Sequence, residues 1–383
     1  MIDAAAVASG PVCYKNWRAH QEGAPCSGGF EVPLYSDCHI AGEIPDGLGP
    51  YALINALPAG RLDPSLVLRA SSFLNAYALP QMTKTDKTSF TGASLSDEIA
   101  CLVALALGAR IMAGSATRLE IEKGKWVILG DRDRPTLISP QIRRAAIVPR
   151  AGATKTLQRT PLDSLPRLSA ENATAVTRAA RCYRDALWLA ESEPDTAWLL
   201  LVSALEVASV RLKAESLKPL EIFEISKPEL AAKLRLVGSE VLEEVANALS
   251  RELRATGRFL EFMERFLPNP PTERPPPAFQ LDWSWKSMRK SLSAIYNYRS
   301  EALHEGIPFP PPMSEPPFPI GNDAQVPAET LIGLAAAQQG GVWTKKDLPM
   351  TLHTFEYIVR GALLKWWHEL ADTASDTRNP SQP

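Results

Sequence analysis

The chain has 383 residues, a formal net charge of −2 and 22% charged residues. This length is enough for two or three domains, each with its own core. The near balance of charges argues against a basic coat for bulk nucleic-acid binding, although it allows a local basic cleft. The sequence contains no Walker loop, dinucleotide fingerprint, HExxH or GxSxG segment, so nucleotide hydrolases, oxidoreductases and serine hydrolases have no support.

The cysteines and the apolar segments bear on location and on metal binding. The chain has five cysteines, an odd number with no CxxC pair. The longest apolar run, residues 99–109, is too short to span a bilayer, and the N-terminus lacks a basic n-region. We therefore expect a cytoplasmic protein with reduced thiols, no membrane partner, no metal and no cofactor. Scattered buried thiols are favoured over zinc, because no finger pattern fits the spacing of Cys13, His20, Cys26, Cys38 and His39.

Residues 1–150 read as a mixed α+β module of unknown role. Gly, Pro and Asp interrupt short apolar pieces through the first 90 residues, which favours short strands and loops over helices. Ser94 or Ser96 can cap a helix over 94–110, in which Arg110 suits the last turn. Apolar alternation predicts a hairpin of strands 118–122 and 125–129, with a further strand at 136–138.

The composition changes after this module. Residues 151–168 read as a linker, because Thr160, Pro161, Asp163 and Pro166 discourage regular structure. Residues 169–373 read as a helical domain, and 374–383 as a disordered tail. The predicted fold class is mainly α, α+β overall. The predicted helices are 169–193, 195–213, 228–237, one from 239 that Gly257 breaks or kinks, 284–304 and 350–371.

The helix over 284–304 has two different sides. Ser284 can cap it, and Gly306 followed by Pro308 ends it. One side is apolar, yet Arg299 projects from its middle, and a guanidinium is costly to bury without a partner. Glu206 is the acid inside the most apolar predicted helix. We predict that Arg299 pairs with Glu206; the alternative is that Glu206 faces a solvent gap.

The end of this helix carries a motif. Residues 298–306 read YRSEALHEG, with the spacing Arg-x4-His. This segment resembles the signature of HEPN domains, and most closely the Apea-like branch, in which Ser follows the Arg. The resemblance covers residues 169–373. It implies a helical bundle that forms a homodimer, with Arg299 and His304 as the catalytic pair.

These residue types suit RNA cleavage without a metal. A His can take a proton from a ribose 2′-OH or give one to the leaving oxygen, and an Arg can hold the phosphate. Asn297 and Glu301 are candidates to assist, and 320–349 forms a long connection predicted to line the groove near His304. Since Arg299 and His304 are about 140° apart in an ideal helix, His304 has to lie on a frayed last turn. The candidates to steer RNA are Lys286, Arg289 and Lys290, whose alternative role is a solvated face.

Two functions follow from these residues together with the resemblance to HEPN domains. The first is a metal-independent endoribonuclease that binds RNA, similar to those in prokaryotic toxin and anti-phage defence systems, with the N-terminal module sensing a trigger or restraining the nuclease. The second is a non-catalytic HEPN module that binds a protein partner or a nucleotide. In the second, Arg299 only pairs with Glu206, and His304 caps the helix carbonyls.

Overall fold

The computed structural model describes residues 9–56, 65–74, 85–130, 146–148, 153–212, 218–320, 326–333 and 335–376. The chain divides into two units. The sheet unit comprises Met1–Leu200 with Leu364–Pro383, and the helical unit comprises Leu201–Leu363. The predicted boundary after residue 150 does not coincide with this division.

The sheet unit is built around an antiparallel sheet. Its elements are α1 (Val12–Gln21), β1 (Gly28–Tyr35), β2 (His39–Ala41), β3 (Ile44–Leu48), β4 (Tyr51–Asn55), β5 (Leu66–Ser72), α2 (Leu95–Leu107), β6 (Met112–Ala113), β7 (Arg118–Glu122), β8 (Lys125–Ile128), β9 (Thr154–Thr156) and α3 (Ala170–Leu189). Within the described residues the strand order is β3-β4-β5-β1-β7-β8, and β6 also pairs with β1. The predicted hairpin is confirmed, with Leu119 opposite Val127. The predicted strand at 136–138 lies outside the described residues.

Helix α2 forms where the capping signals predicted it. The Ser94 side chain accepts the Asp97 N–H, and acidic residues occupy the first turn. Gly108 ends the helix because it adopts φ of 64°, in the left-handed region. Helix α1, within residues expected to form strands and loops, packs against α2. The buried carboxylate of Glu98 accepts the Cys13 N–H at 2.7 Å and so caps α1 from a neighbouring helix.

Arg110 lies beyond the end of α2 and is 1% exposed. Its Nη1 donates to Asp37 at 2.8 Å and its Nη2 to Glu191 at 2.9 Å. Its Nε donates to the Leu187 carbonyl at 2.7 Å, and Nη2 also reaches the Val148 carbonyl. The guanidinium thus joins three separate segments inside the sheet unit, which differs from the predicted role at a helix end.

The predicted linker carries regular structure. β9 pairs in parallel with β2, with His39 opposite Thr154. A 3₁₀ helix follows at Leu162–Arg167, and it buries Leu162, Ser164 and Leu165. The linker prediction is wrong for these residues, because the apolar side chains between the prolines are buried in a core.

The second half of the chain is largely helical. Its elements are α4 (Pro194–Ser209), α5 (Pro219–Ser226), α6 (Pro228–Val237), α7 (Ser239–Phe266), α8 (Trp285–His304), β10 (Pro319–Ile320), β11 (Val326–Pro327), β12 (Ala335–Gln338), β13 (Gly341–Thr344) and α9 (Leu352–Asp376). The α+β class is confirmed in this coarse form: a sheet lies in the N-terminal part and helices in the C-terminal part. That the helices form a HEPN bundle stays a prediction.

Several predicted bounds shift. α4 begins at Pro194, as predicted, but ends at Ser209 rather than at 213. α7 continues through Gly257, where a break or kink was predicted. It packs against α5, α6 and α8. α9 extends to Asp376, so the predicted disordered tail is wrong at residues 374–376, and the rest of the tail lies outside the described residues.

Among the helices that the structure describes, none is both long and apolar enough to span a bilayer.

Candidate functional site

Helix α8 runs from Trp285 to His304, as the sequence predicts. Ser284 occupies the N-cap position, but its side chain makes no capping bond. Asp282 instead accepts the Ser284 N–H at 2.9 Å and the hydroxyl of Ser287. These hydrogen bonds, chiefly that from Ser287, lower the pKa of Asp282. At the other end Gly306 adopts φ of 70°, which turns the chain out of the helix.

One side of α8 is buried within the helical unit. Met288, Leu292 and Ile295 are fully buried. Tyr296 packs its ring against Phe259 of α7, with centroids 5.0 Å apart. This packing fixes the rotation of α8, and therefore which of its polar residues face solvent.

Arg299 pairs with Glu206, as predicted. Its Nη2 donates to Glu206 Oε2 at 2.7 Å, and the two side chains are 21% and 24% exposed. Tyr296 joins the pair: its hydroxyl donates to Glu206 Oε1 at 2.8 Å, and the Arg299 guanidinium lies 5.7 Å from the centre of its ring. Burial and the hydrogen bond to Glu206 raise the pKa of Tyr296, although Arg299 and Arg258 oppose the shift.

His304 is exposed and is the last residue of α8. The Glu305 N–H still donates to the Glu301 carbonyl at 2.8 Å, so helical geometry persists through His304. The expected frayed turn is wrong, and the separation of about 140° from Arg299 remains. Within the described residues the imidazole has no hydrogen bond or ion pair, and it caps no carbonyl. One copy of the chain therefore does not bring Arg299 and His304 together.

The other predicted residues lie on the exposed side. Lys286, Arg289, Lys290 and Asn297 are exposed, and Glu301 is half-buried. On an ideal helix Lys286, Lys290, Asn297 and His304 fall within about 40° of one another and span about 27 Å along the axis. We call these four residues the α8 stripe. His304 thus shares a face with the lysines rather than with Arg299.

The connection over 320–349 contains elements that the sequence did not predict. β12 and β13 form a hairpin, followed by a 3₁₀ turn at Lys345–Asp347. The Tyr298 hydroxyl donates to the Asp347 carbonyl at 2.6 Å, which joins this turn to α8. The connection therefore reaches the motif helix at Tyr298, where it presents Lys345 and Lys346 to solvent.

Sequence reasoning also missed Glu329. It is 5% exposed and accepts both Arg274 Nε at 2.8 Å and Arg274 Nη2 at 2.6 Å. It also accepts the Leu281 N–H at 2.7 Å. Burial by itself raises the pKa of Glu329, but these hydrogen bonds lower it overall. Glu329 thus holds in place the proline-rich segment that leads into α8. The sequence signal that could have revealed this contact is Arg274, an arginine between prolines.

The described ranges contain no group of three or more His, Cys, Asp or Glu residues placed to hold a metal ion. The cysteines are free thiols: Cys13, Cys38 and Cys101 are buried, Cys182 is half-buried, and Cys26 is exposed.

Comparison with known proteins adds no assignment. A scan against protein-family models, a search of curated proteins and a search of solved structures each found no match.

Proposed function

We propose that the helical unit binds RNA and acts as a metal-independent endoribonuclease of HEPN type, in a prokaryotic toxin or anti-phage defence system. The observation that carries the proposal is the α8 stripe, in which exposed His304 lies in line with Lys286 and Lys290. A histidine that can take up and give back a proton, and lysines that attract phosphates, then act on one RNA strand.

In the proposed reaction the ribose 2′-oxygen attacks the adjacent phosphorus. His304 takes the 2′-OH proton as the new P–O bond forms, and the bond to the 5′-oxygen breaks. The 5′-oxygen leaves as a hydroxyl after gaining a proton from water, and His304 returns its own proton to solvent. The products are a 2′,3′-cyclic phosphate and a 5′-OH end, so neither oxidant nor metal is required.

Arg299 enters this reaction from a second copy of the chain. Within one copy, Arg299 faces Glu206 and lies away from His304. The resemblance to HEPN domains implies a homodimer through the helical domain. In such a dimer, Arg299 of one copy would lie near His304 of the other. Asn297 and Glu301 assist His304 in this proposal, and Arg289 adds to the phosphate contacts. The sheet unit senses a trigger or restrains cleavage.

A second candidate function is a non-catalytic module that binds a protein partner or a nucleotide. The observation that favours it is the engagement of Arg299, which already has a carboxylate and a tyrosine ring as neighbours. An arginine held in this way stabilises the helical unit without any chemistry.

The deciding experiment is RNA cleavage by the purified protein in EDTA. We expect cleavage with cyclic-phosphate ends, and its loss in His304→Ala and Arg299→Ala. The matched control is His368→Ala, which removes another exposed histidine from a helix. Intact cleavage in His304→Ala, or none in the wild-type protein, would overturn the nuclease and leave the binding module.

A further inference from the structure

Arg258 on α7 is a half-buried arginine without a partner among the described residues. Its Nε atom is buried and makes no hydrogen bond. Among the described residues its guanidinium forms no ion pair or hydrogen bond either. A guanidinium stays charged at all relevant pH values, and burying its donors without acceptors is costly. Such a group calls for an acceptor that the described residues do not supply.

The position of Arg258 brings it to the ion pair of α8. Its chain neighbour Phe259 is fully buried and packs on the ring of Tyr296. The Tyr296 hydroxyl is hydrogen-bonded to Glu206, which also pairs with Arg299. The charges of Arg258 and Arg299 both act to lower the pKa of Tyr296, and the Arg299 guanidinium lies 5.7 Å from the centre of this ring.

The charged groups that act on Tyr296 do not balance. Arg258 and Arg299 contribute two positive charges and Glu206 one negative charge, which leaves one positive charge in excess. The Nε of Arg299 is likewise buried without a hydrogen bond. Two unsatisfied N–H donors and an excess positive charge, all beside Tyr296, are the features that an anion would satisfy.

We propose that Arg258 and Arg299 form a binding site for a phosphate group beside Tyr296, and that an RNA backbone phosphate occupies it. A phosphate carries several acceptor oxygens, so one group can accept from two arginines, as the forked geometry of guanidinium favours. The source of the phosphate rests on the proposed function, whereas the site itself does not. In this arrangement the phosphate competes with Glu206 for Arg299, and Arg258 is a binding residue that the motif does not include.

The test is binding of a 2′-O-methyl single-stranded RNA oligonucleotide, measured by fluorescence anisotropy. This probe cannot be cleaved through the 2′-oxygen, so binding is measured apart from activity. We expect Arg258→Gln to weaken binding about tenfold or more and to reduce the salt dependence by about one phosphate contact. Arg258→Lys keeps the positive charge but loses the forked N–H donors of the guanidinium. We expect its affinity for the oligonucleotide to lie between those of the wild-type protein and Arg258→Gln.

The matched control is Arg254→Gln, which removes an exposed arginine one turn earlier on α7. It is expected to bind the probe within about twofold of the wild-type protein. Thermal unfolding of each variant shows that it is folded before binding is compared. Equal affinities for Arg258→Gln and Arg254→Gln would overturn the assignment of Arg258, whatever the result of the His304 cleavage experiment.

A second arm separates the two sources of phosphate. Inorganic phosphate is titrated against the thermal unfolding of the wild-type protein and of Arg258→Gln. Stabilisation of the wild type alone, without binding of the oligonucleotide, would support the site and overturn RNA as its source. Neither stabilisation nor binding in the wild-type protein would overturn the site itself.

Discussion

Arg299 of α8 donates to Glu206 of α4 across 2.7 Å. This ion pair holds Arg299 on the side of α8 away from His304, although only four residues separate the two in the sequence. The two residues of the Arg-x4-His motif therefore lie on different sides of α8 within one copy of this chain. The proposed cleavage, which uses both residues, therefore draws Arg299 from a second copy.

The strength of this pair can be measured with a double-mutant cycle. We expect Glu206→Gln and Arg299→Gln to show a coupling free energy of about 1 kcal/mol, because both side chains are partly exposed and solvent screens their attraction. Urea unfolding of the two single variants and the double variant gives the value. The control cycle uses Arg159 and Asp46, a pair with 49% and 86% exposure, and we expect it to give less than half as much. Equal coupling in the two cycles would contradict a structural role for the Glu206 pair.

The α8 stripe makes a prediction about salt. Replacing both Lys286 and Lys290 by Ala removes two exposed charges from one face of the helix. We expect RNA binding to weaken and its dependence on salt to fall by about two phosphate contacts.

The matched control for the stripe is the double change of Lys123 and Lys125 to Ala, which removes the same charge from the hairpin of the sheet unit. Affinity is measured by anisotropy over a range of salt concentrations. If the two double variants lose affinity equally, overall charge accounts for the binding, and the stripe has no special part in it.

Sequence reasoning succeeded where the signal was local. The cap at Ser94, the turn at Gly124 and the helix ending at Gly306 each depend on a few neighbouring residues, and each was predicted. The Arg299–Glu206 pair was also predicted, because a cation and an acid on two apolar helices each need a partner.

The misses share a physical cause, which is contact between distant segments. β9 is a strand because it pairs with β2, and nothing within residues 154–156 predicts this pairing. α1 is capped by Glu98, more than eighty residues away. Arg258 escaped notice because its lack of a partner among the described residues is visible only in three dimensions. Whether Arg299 and His304 are catalytic stays a prediction for a different reason, since the proposed cleavage combines residues of two copies.

The buried arginine of the sheet unit makes a prediction about stability. We expect Arg110→Met to lower the unfolding free energy by about 3–5 kcal/mol, because Asp37 and Glu191 are then left without their common partner. The control is Arg69→Met, since Arg69 pairs with Glu31 but is 50% exposed, and we expect a loss of about 1 kcal/mol or less. Urea unfolding followed by circular dichroism measures both. Similar midpoints would show that the Arg110 contacts contribute little.

Glu98 makes stability depend on pH. Burial raises its pKa above the ordinary value of 4.5, although hydrogen bonds from Thr91 and the Cys13 N–H oppose the shift. The folded state therefore holds the proton more tightly than the unfolded state. The resulting stabilisation is complete below pH 4.5 and is lost as pH rises through the raised pKa. We expect the unfolding free energy of the wild type to fall relative to that of Glu98→Gln over this range.

A second variant tests the cause of this pH dependence. Thr91→Val removes a hydroxyl that donates to the Glu98 carboxylate and so favours its charged form. The pKa of Glu98 should rise further, and the loss of stability should move to higher pH. The measurement is urea unfolding at a series of pH values. A shift to lower pH would mean that Thr91 is not the donor that matters.

The contacts of Arg110 also set an order of events during synthesis. Asp37 precedes Arg110 by 73 residues, whereas Glu191 follows it by 81. At ribosomal speeds of about 5–20 residues per second, the second carboxylate arrives roughly 4–16 seconds after the arginine. The sheet is thus complete in sequence well before Arg110 gains its second carboxylate. During that interval the Nη2 atom of Arg110 has to donate to water in place of Glu191.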